Sequence, residues 1–249
     1  MRYVFLLMLL LLFSVNSYSV TERTKQVNGK VTVVTENTFP IQYLKDGEVV
    51  GFATELVKAV LADAKLPYEI QVLPWARAYR TAINEPNVLI YSLAKTEKRR
   101  DKFKWVGEIM ALEYYLYGAI DSNINQQTKL DDLKHYRIGV IRDSAVDQYL
   151  KSQDFQNLTT VVQGIQNFFL FQEQRIDLLP ANKATFQASC RHKLLDCSAL
   201  KPLYKLAMPA TKLYMAFGAS SEDSLVERVR ASYQQVKSQH AISTDFKRQ

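Results

Sequence analysis

The stretch from Phe52 to Tyr91, FATELVKAVLADAKLPYEIQVLPWARAYRTAINEPNVLIY, alternates helix and strand signals along its whole length. In its first part Phe52, Leu56, Val60 and Ala64 recur every fourth residue, with Val57 and Leu61 beside them, and this is the apolar stripe of an amphipathic helix. Pro67 follows that helix, and Tyr68, Ile70 and Val72 then alternate with polar residues as in a half-buried strand. Pro74 and Trp75 open a second helix through Ile83. After Pro86 the short apolar run from Val88 to Tyr91 reads as another strand. Working outward, Val31, Val33 and Val34 predict a strand ahead of a loop from Asn37 to Gly51. Strand, helix, strand, helix, strand is the order that builds a parallel sheet covered by helices.

The same rhythm restarts after a polar break between Asp121 and Lys129. Strands are expected over Arg137–Ile141, Thr159–Val162 and Ile176–Leu179, and helices over Ser144–Leu150, Ile165–Glu173 and from about Asn182. Two α/β units therefore lie in tandem, without the short-period repeat of a solenoid. Leu112–Ala119, with Tyr114, Tyr115 and Tyr117, and the matching stretch Leu213–Ala219 read as paired crossings between the units. Leu225, Val229 and Val236 mark the buried stripe of a last helix, with Ser221 as a candidate cap, returning to the first unit. The expected division is a leader over 1–19, a first lobe from 29–117 plus 213–249, and a second lobe from 118–212. A double crossing of this kind is a hinge, and the gap between the lobes is where a ligand would be enclosed.

The leader is read from Arg2, the uncharged run Val4 to Phe13, and small or polar residues around Ser17, Tyr18 and Ser19. That apolar run is about half the roughly 20 residues that a membrane span needs. Cleavage is expected after Ser19 or Ser17, and no cysteine lies nearby to carry a lipid anchor. About 230 residues remain, comfortable for two lobes. Hydrophobic residues make up 47% of the chain, enough for packed cores. The net charge of +7 is scattered apart from Lys98, Arg99, Arg100, Lys102 and Lys104, and with export this argues against a nucleic-acid partner. Cys190 and Cys197 are expected to form a local disulfide, as cysteine pairs in exported proteins do. His135, His192 and His240 are isolated from one another, and no metal or other cofactor is expected.

The segment Ile90, Tyr91, Ser92, Leu93, Ala94, Lys95, Thr96, Glu97, Lys98, Arg99, followed by Phe103 and Trp105, resembles the Thr-x-x-Arg turn of the family-3 extracellular solute-binding proteins. These are the amino-acid-binding components of ABC importers. Phe39 with Pro40, Gly51 with Phe52, Pro74 with Trp75, and Leu130, Asp132 and Leu133 leading into Arg137–Val140 match in order and spacing, so the resemblance runs from about Val31 to the C-terminus. It implies an α/β type II periplasmic-binding-protein-like fold: two lobes, each a mainly parallel sheet flanked by helices, joined by two hinge crossings. It also implies a periplasmic monomer that captures a small-molecule solute, performs no catalysis, and meets the membrane only through the importer's membrane subunits.

The resemblance assigns Arg99 to the ligand's carboxylate, a role suited to the planar donor fork of a guanidinium; the plainer reading makes Arg99 one more surface cation, like Arg100 and Lys102. It points to Phe52, with Phe39, Trp75 and Tyr91 as neighbours, for the aromatic walls, although Phe52 also fits the core stripe of its helix. Ser92 falls on a position that contacts ligand. Where the family carries Gly-Thr-Thr this chain has Asp143, Ser144 and Ala145, so Ser144 keeps a hydroxyl and Asp143 adds a charge. Asn182 falls where many amino-acid binders hold the α-ammonium with an aspartate, and an amide cannot neutralise that charge. Ala94 replaces a common hydroxyl position. The carboxylate end of the expected site is thus intact and the ammonium end altered. This leaves amino acids held by a shifted acid such as Asp143, small carboxylates, or peptide-like solutes as candidate ligands. Two other functions fit the same scaffold: a ligand-sensing subunit for a membrane receptor, or a periplasmic enzyme resembling cyclohexadienyl dehydratase, for which Glu36, Glu108 and Glu113 are candidate acids.

Overall fold

The computed structural model describes residues 30–239, except 126, 194 and 210. The leader read in residues 1–19 and the chain beyond 239, with His240, lie outside the described residues. The chain runs β1 (Val31–Thr35), the hairpin β2 (Tyr43–Lys45) and β3 (Glu48–Val50), α1 (Phe52–Asp63), β4 (Tyr68–Val72), α2 (Trp75–Asn84) and β5 (Val88–Ala94). A short 3-10 turn over Glu97–Lys102 leads into β6 (Phe103–Ala111) and β7 (Tyr114–Ala119). Then follow β8 (Ile138–Ile141), α3 (Ala145–Ser152), β9 (Leu158–Val161), α4 (Ile165–Gln172), β10 (Leu179–Asn182), α5 (Lys183–Arg191), β11 (Leu200–Lys205), β12 (Lys212–Gly218) and α6 (Asp223–Gln239).

The first sheet has the order β4-β1-β5-β12-β6. Its strands β4, β1 and β5, each separated by a helix in sequence, are parallel, and β12 pairs antiparallel with both β5 and β6. In the second lobe β8 and β9 are parallel, while β10 and β11 flank β7 antiparallel. A parallel bridge from Ile138 to Leu178 ties these two groups together. The chain passes between the lobes at Leu112–Glu113 and again between β11 and β12, and the Leu112 N–H donates to the Thr211 carbonyl at 2.8 Å. The tyrosine-rich stretch after Leu112 and its counterpart after Lys212 are strands rather than connections: β7 pairs with β10 and β11, β12 pairs with β5 and β6, and Leu116, Met215 and Phe217 are fully buried there.

Helices α1 and α6 cover one face of the first sheet, with Val57, Leu61, Leu225 and Val229 packed on Leu89 and Phe217. Helix α2 covers the other face, with Trp75, Ala78 and Ala82 against Val34, Ile90 and Ala216. Gly51 introduces α1 with φ of +114°, and a Cβ there would lie 2.5 Å from the Ile41 carbonyl oxygen, so only glycine allows the loop and helix to meet. The second lobe has its own core around Leu116, Leu133, Ile138, Val140, Leu150 and Leu203. Cys190, in the last turn of α5, is disulfide-bonded to Cys197. Among the described residues no helix is long and apolar enough to cross a membrane.

Candidate functional site

The C-terminal ends of β1 and β5 and the start of α2 face the second lobe where β8 runs into α3 and where α4 begins. A cavity of about 100 Å³ lies between them. Its first-lobe wall is Glu36, Trp75, Ser92, Ala94 and Arg99, with Tyr114 at the crossing, and its second-lobe wall includes Ile141, Ser144, Ala145, Gly164 and Asn167. In α/β sheets ligands bind beyond the carboxyl ends of the strands, because loops and helix N-termini converge there.

Arg99 is held on the 3-10 turn by its own N–H bonding the Thr96 carbonyl at 3.0 Å. Its basic neighbours Lys98, Arg100 and Lys102 are exposed, whereas Arg99 is 1% exposed. The guanidinium sits 5.1 Å from the ring of Trp75 and 5.1 Å from that of Tyr79, a cation–π sandwich that offsets part of its desolvation. Nη1 donates to the Ala94 carbonyl at 3.2 Å, and Nη2 reaches across to the second lobe and donates to the Asp143 carbonyl at 2.9 Å. Nε has no hydrogen-bond partner among the described residues. Burial pulls the Arg99 pKa down from its ordinary range, with Tyr79, Tyr114 and Glu36 opposing the shift. A guanidinium stays charged throughout.

The Trp75 indole N–H also donates to the Asp143 carbonyl, at 3.1 Å. Asp143 has φ of +59°, and this turn aims its carbonyl into the first lobe while its side chain stays exposed. Ser144 caps α3, its Oγ accepting from the Asp147 N–H at 3.1 Å. Ser92 donates its hydroxyl to Gln42 Oε1 at 2.7 Å. Glu36 follows β1, and burial pushes its pKa up to about 7, with the Arg99 charge opposing. Part of the Glu36 surface still faces the cavity, yet the carboxyl lies deep enough for desolvation to dominate. Burial also raises the pKa of the Tyr114 phenol, and the neighbouring Glu36 adds to the rise.

Of the residues singled out from sequence, Trp75, Ser92, Arg99 and Ser144 meet at this cavity, and Phe39, Phe52, Tyr91 and Asn182 are not among its lining. Phe39 stands edge-on to Tyr43 and to His192 at the end of α5, a second contact between the lobes. Phe52 packs on the core beneath α1. Tyr91 is fully buried with its hydroxyl 2.8 Å from Thr54 Oγ1. Asn182 caps α5: its Oδ1 accepts from the Thr185 N–H at 2.8 Å and its Nδ2 donates to Thr185 Oγ1 at 2.8 Å. Of the three glutamates named as candidate acids only Glu36 reaches the cavity. Glu113 pairs with Lys205, which holds its carboxyl below the usual range, and Glu108 pairs with Lys212 at 2.9 Å. Tyr114 and Asn167 escaped the sequence reading of the site. Asn167 had a weak signal: together with Gln166 it interrupts the otherwise apolar run Ile165 to Phe171.

A larger recess of about 840 Å³ lies at the opposite end of β8, between Ile120, Tyr136, Phe171 and Leu200. Of the charged residues lining it, Arg137 and Asp177 neutralise each other through bonds of 2.6 and 3.0 Å, and Asp121 and Asp196 are exposed to solvent. The small cavity, with a buried guanidinium and an unsatisfied donor, is the better candidate despite its size.

No curated protein matches the sequence. Among solved structures, the arginine-, lysine-, histidine-binding protein ArtJ from Geobacillus stearothermophilus superposes with a TM-score of 0.73 at 18% identity, over 88% of this chain and 94% of its own. Holo ArgBP from T. maritima gives 0.71 at 14% identity, over 84% and 90%. A histidine kinase sensor domain with similarity to periplasmic binding proteins gives 0.75 at 15% identity, over 84% and 91%. At these identities the likeness shows the type II periplasmic-binding fold. The family model of the bacterial extracellular solute-binding proteins, family 3, matches residues 31–243, and the chain belongs to that family.

Proposed function

We propose that this protein is a periplasmic receptor that closes its two lobes over a small carboxylate-bearing solute, an amino acid or a close relative, and presents it to an ABC importer. The observation that carries this reading is Arg99: a buried guanidinium, sandwiched by aromatic rings at the inter-lobe cavity, with no acceptor for Nε among the described residues. A buried donor without a partner costs roughly 1 to 3 kcal/mol, and a ligand carboxylate would recover it. Family membership, the two-lobed fold and the amino-acid-binding proteins among the structural neighbours support the same reading.

The test is a thermal-shift screen of the mature protein against amino acids, organic acids, polyamines and short peptides, followed by calorimetry on the hits. A solute at 100 times its Kd stabilises by about 2.7 kcal/mol. For a chain of this length that is a rise of roughly 5 to 11 °C. Arg99→Ala should weaken a carboxylate ligand by about 2 to 5 kcal/mol, because one member of a buried pair is left alone. A folded Arg99→Ala protein with unchanged affinity would overturn the assignment. The similarity to a histidine kinase sensor domain favours a second reading, in which the same closure signals to a membrane receptor. Co-purification with a receptor in place of importer subunits would select it.

A further inference from the structure

Asn167 lies on α4 with 3% of its surface exposed, and it lines the inter-lobe cavity from the second-lobe side. Its amide oxygen has no donor among the described residues. Room for this amide is made by Gly139 on β8, where a Cβ would lie 2.4 Å from the Asn167 Oδ1 and 2.9 Å from its Cγ. A polar group this deep, left without a partner, lowers stability unless something else binds to it. Its neighbour Gln166 is exposed, whereas Asn167 and Phe168 are the buried positions of α4, and at a buried position an aliphatic side chain would suit the packing better. Asn182, meanwhile, spends both ends of its amide on Thr185 in capping α5 and is not part of the cavity lining.

We propose that Asn167 is a specificity-determining residue of the cleft, accepting a hydrogen bond from the donor end, an ammonium or a hydroxyl, of a small carboxylic acid whose carboxylate is held by Arg99. This rests on the reading of Arg99 given above. The two groups sit on opposite walls of a cavity of about 100 Å³, so one small molecule can touch both only when the lobes are together. Carboxylate recognition then belongs to the first lobe and donor recognition to the second. A solute lacking the donor would engage one lobe and leave the Asn167 oxygen unpartnered.

The test uses matched pairs that differ only in the amino group beside the carboxylate: alanine and propionate, glutamate and glutarate, lysine and 6-aminohexanoate. Calorimetry on the mature wild-type protein should give a preference of at least about tenfold for the amino member of whichever pair binds, the equivalent of about 1.4 kcal/mol. In Asn167→Leu that preference should shrink to within about threefold while the affinity of the des-amino acid stays within threefold of wild type. Gly139→Ala, which crowds the amide, should reduce the preference in the same direction. Without solute, Asn167→Leu should melt at a higher temperature than wild type, whereas a merely structural amide would make it melt lower. A full preference retained in Asn167→Leu, or a lower melting temperature, overturns the proposal. If the des-amino acids bind and lose affinity in Arg99→Ala while the Asn167 variant behaves as wild type, this inference alone fails. If no member of any pair binds the wild-type protein, the carboxylate reading fails and this one with it.

Discussion

At the scale of single residues the cleft is built around one carbonyl. The Asp143 oxygen receives hydrogen bonds from Arg99 and Trp75 on the far lobe and from Gln148 on its own, at 2.9, 3.1 and 3.3 Å. Trp75→Phe keeps the ring over Arg99 and deletes only the indole N–H, so it should cost about 0.5 to 1.5 kcal/mol in urea unfolding. Glu36 makes a pH prediction. Its folded pKa of about 7 lies above the ordinary value of 4.5, so the folded state holds the proton more tightly than the unfolded chain does. Ionising it therefore costs stability: nothing is lost below pH 4.5, the cost grows from pH 4.5 to 7, and it levels above that. Relative to wild type, Glu36→Gln should gain stability progressively across that window, by roughly 1 to 3 kcal/mol given that part of the residue's surface faces the cavity. A melting-temperature difference between the two proteins that stays flat from pH 4.5 to 8 would contradict this. Arg99 was legible in the sequence because its turn has a local signature. Glu36, Tyr114 and Asn167 were not legible as neighbours, since only the closure of two lobes brings residues more than 130 positions apart to one cavity.

At the scale of elements, short-range periodicity was sufficient for α1, β4, α2, β5, α3 and α4, whose bounds fall within a few residues of those read from the apolar pattern. It was insufficient for β6, β7, β11 and β12. Their antiparallel partners lie far away in sequence, as where β12 meets β6 through Phe217 and Lys104, and nothing local announces such pairing. Expected Asn182 chemistry illustrates the same limit, because its place before α5 was visible while its commitment to the cap was not. Asn182→Ala should destabilise by about 1 kcal/mol, the usual cost of a lost N-cap, and leave ligand affinity within twofold. A tenfold loss of affinity at unchanged stability would instead give Asn182 a direct ligand contact. The disulfide that ends α5 closes a loop between cysteines seven positions apart. In the chain-entropy account, Cys190→Ser with Cys197→Ser should cost about 2 to 3 kcal/mol in chemical unfolding. This staple lies away from the cavity lining, but the loop it closes holds His192, so any effect on affinity should act through the Phe39–His192 contact between the lobes.

At the scale of the whole molecule, the lobes are joined covalently at two short crossings and non-covalently at a few points, and the balance of open and closed forms depends on those points. One is Phe39 against His192. Another is the Asp143 carbonyl, which occupies a donor of the same guanidinium that the proposed ligand needs. A carboxylate entering the cleft must therefore share Arg99 with Asp143 through the remaining Nε or displace the carbonyl, and its measured affinity is the intrinsic affinity less whatever the latch contributes. The latch depends on the positive φ of Asp143, a conformation that glycine adopts freely and a β-branched residue resists. Asp143→Gly should leave the closed form in place. Asp143→Val, forced out of the left-handed region at a cost of about 1 to 2 kcal/mol, should lose the inter-lobe bonds and shift the solution population toward open. Small-angle scattering would register this as a radius of gyration that rises above the roughly 17 Å of a compact chain of this length in the valine variant but not in the glycine variant. Because Trp75 reports on the same carbonyl, its fluorescence should move with the scattering. Saturating ligand should bring the valine variant back toward the compact radius, at a weaker apparent affinity. Identical radii for wild type, Asp143→Gly and Asp143→Val would mean that closure is set at the crossings and not at Arg99.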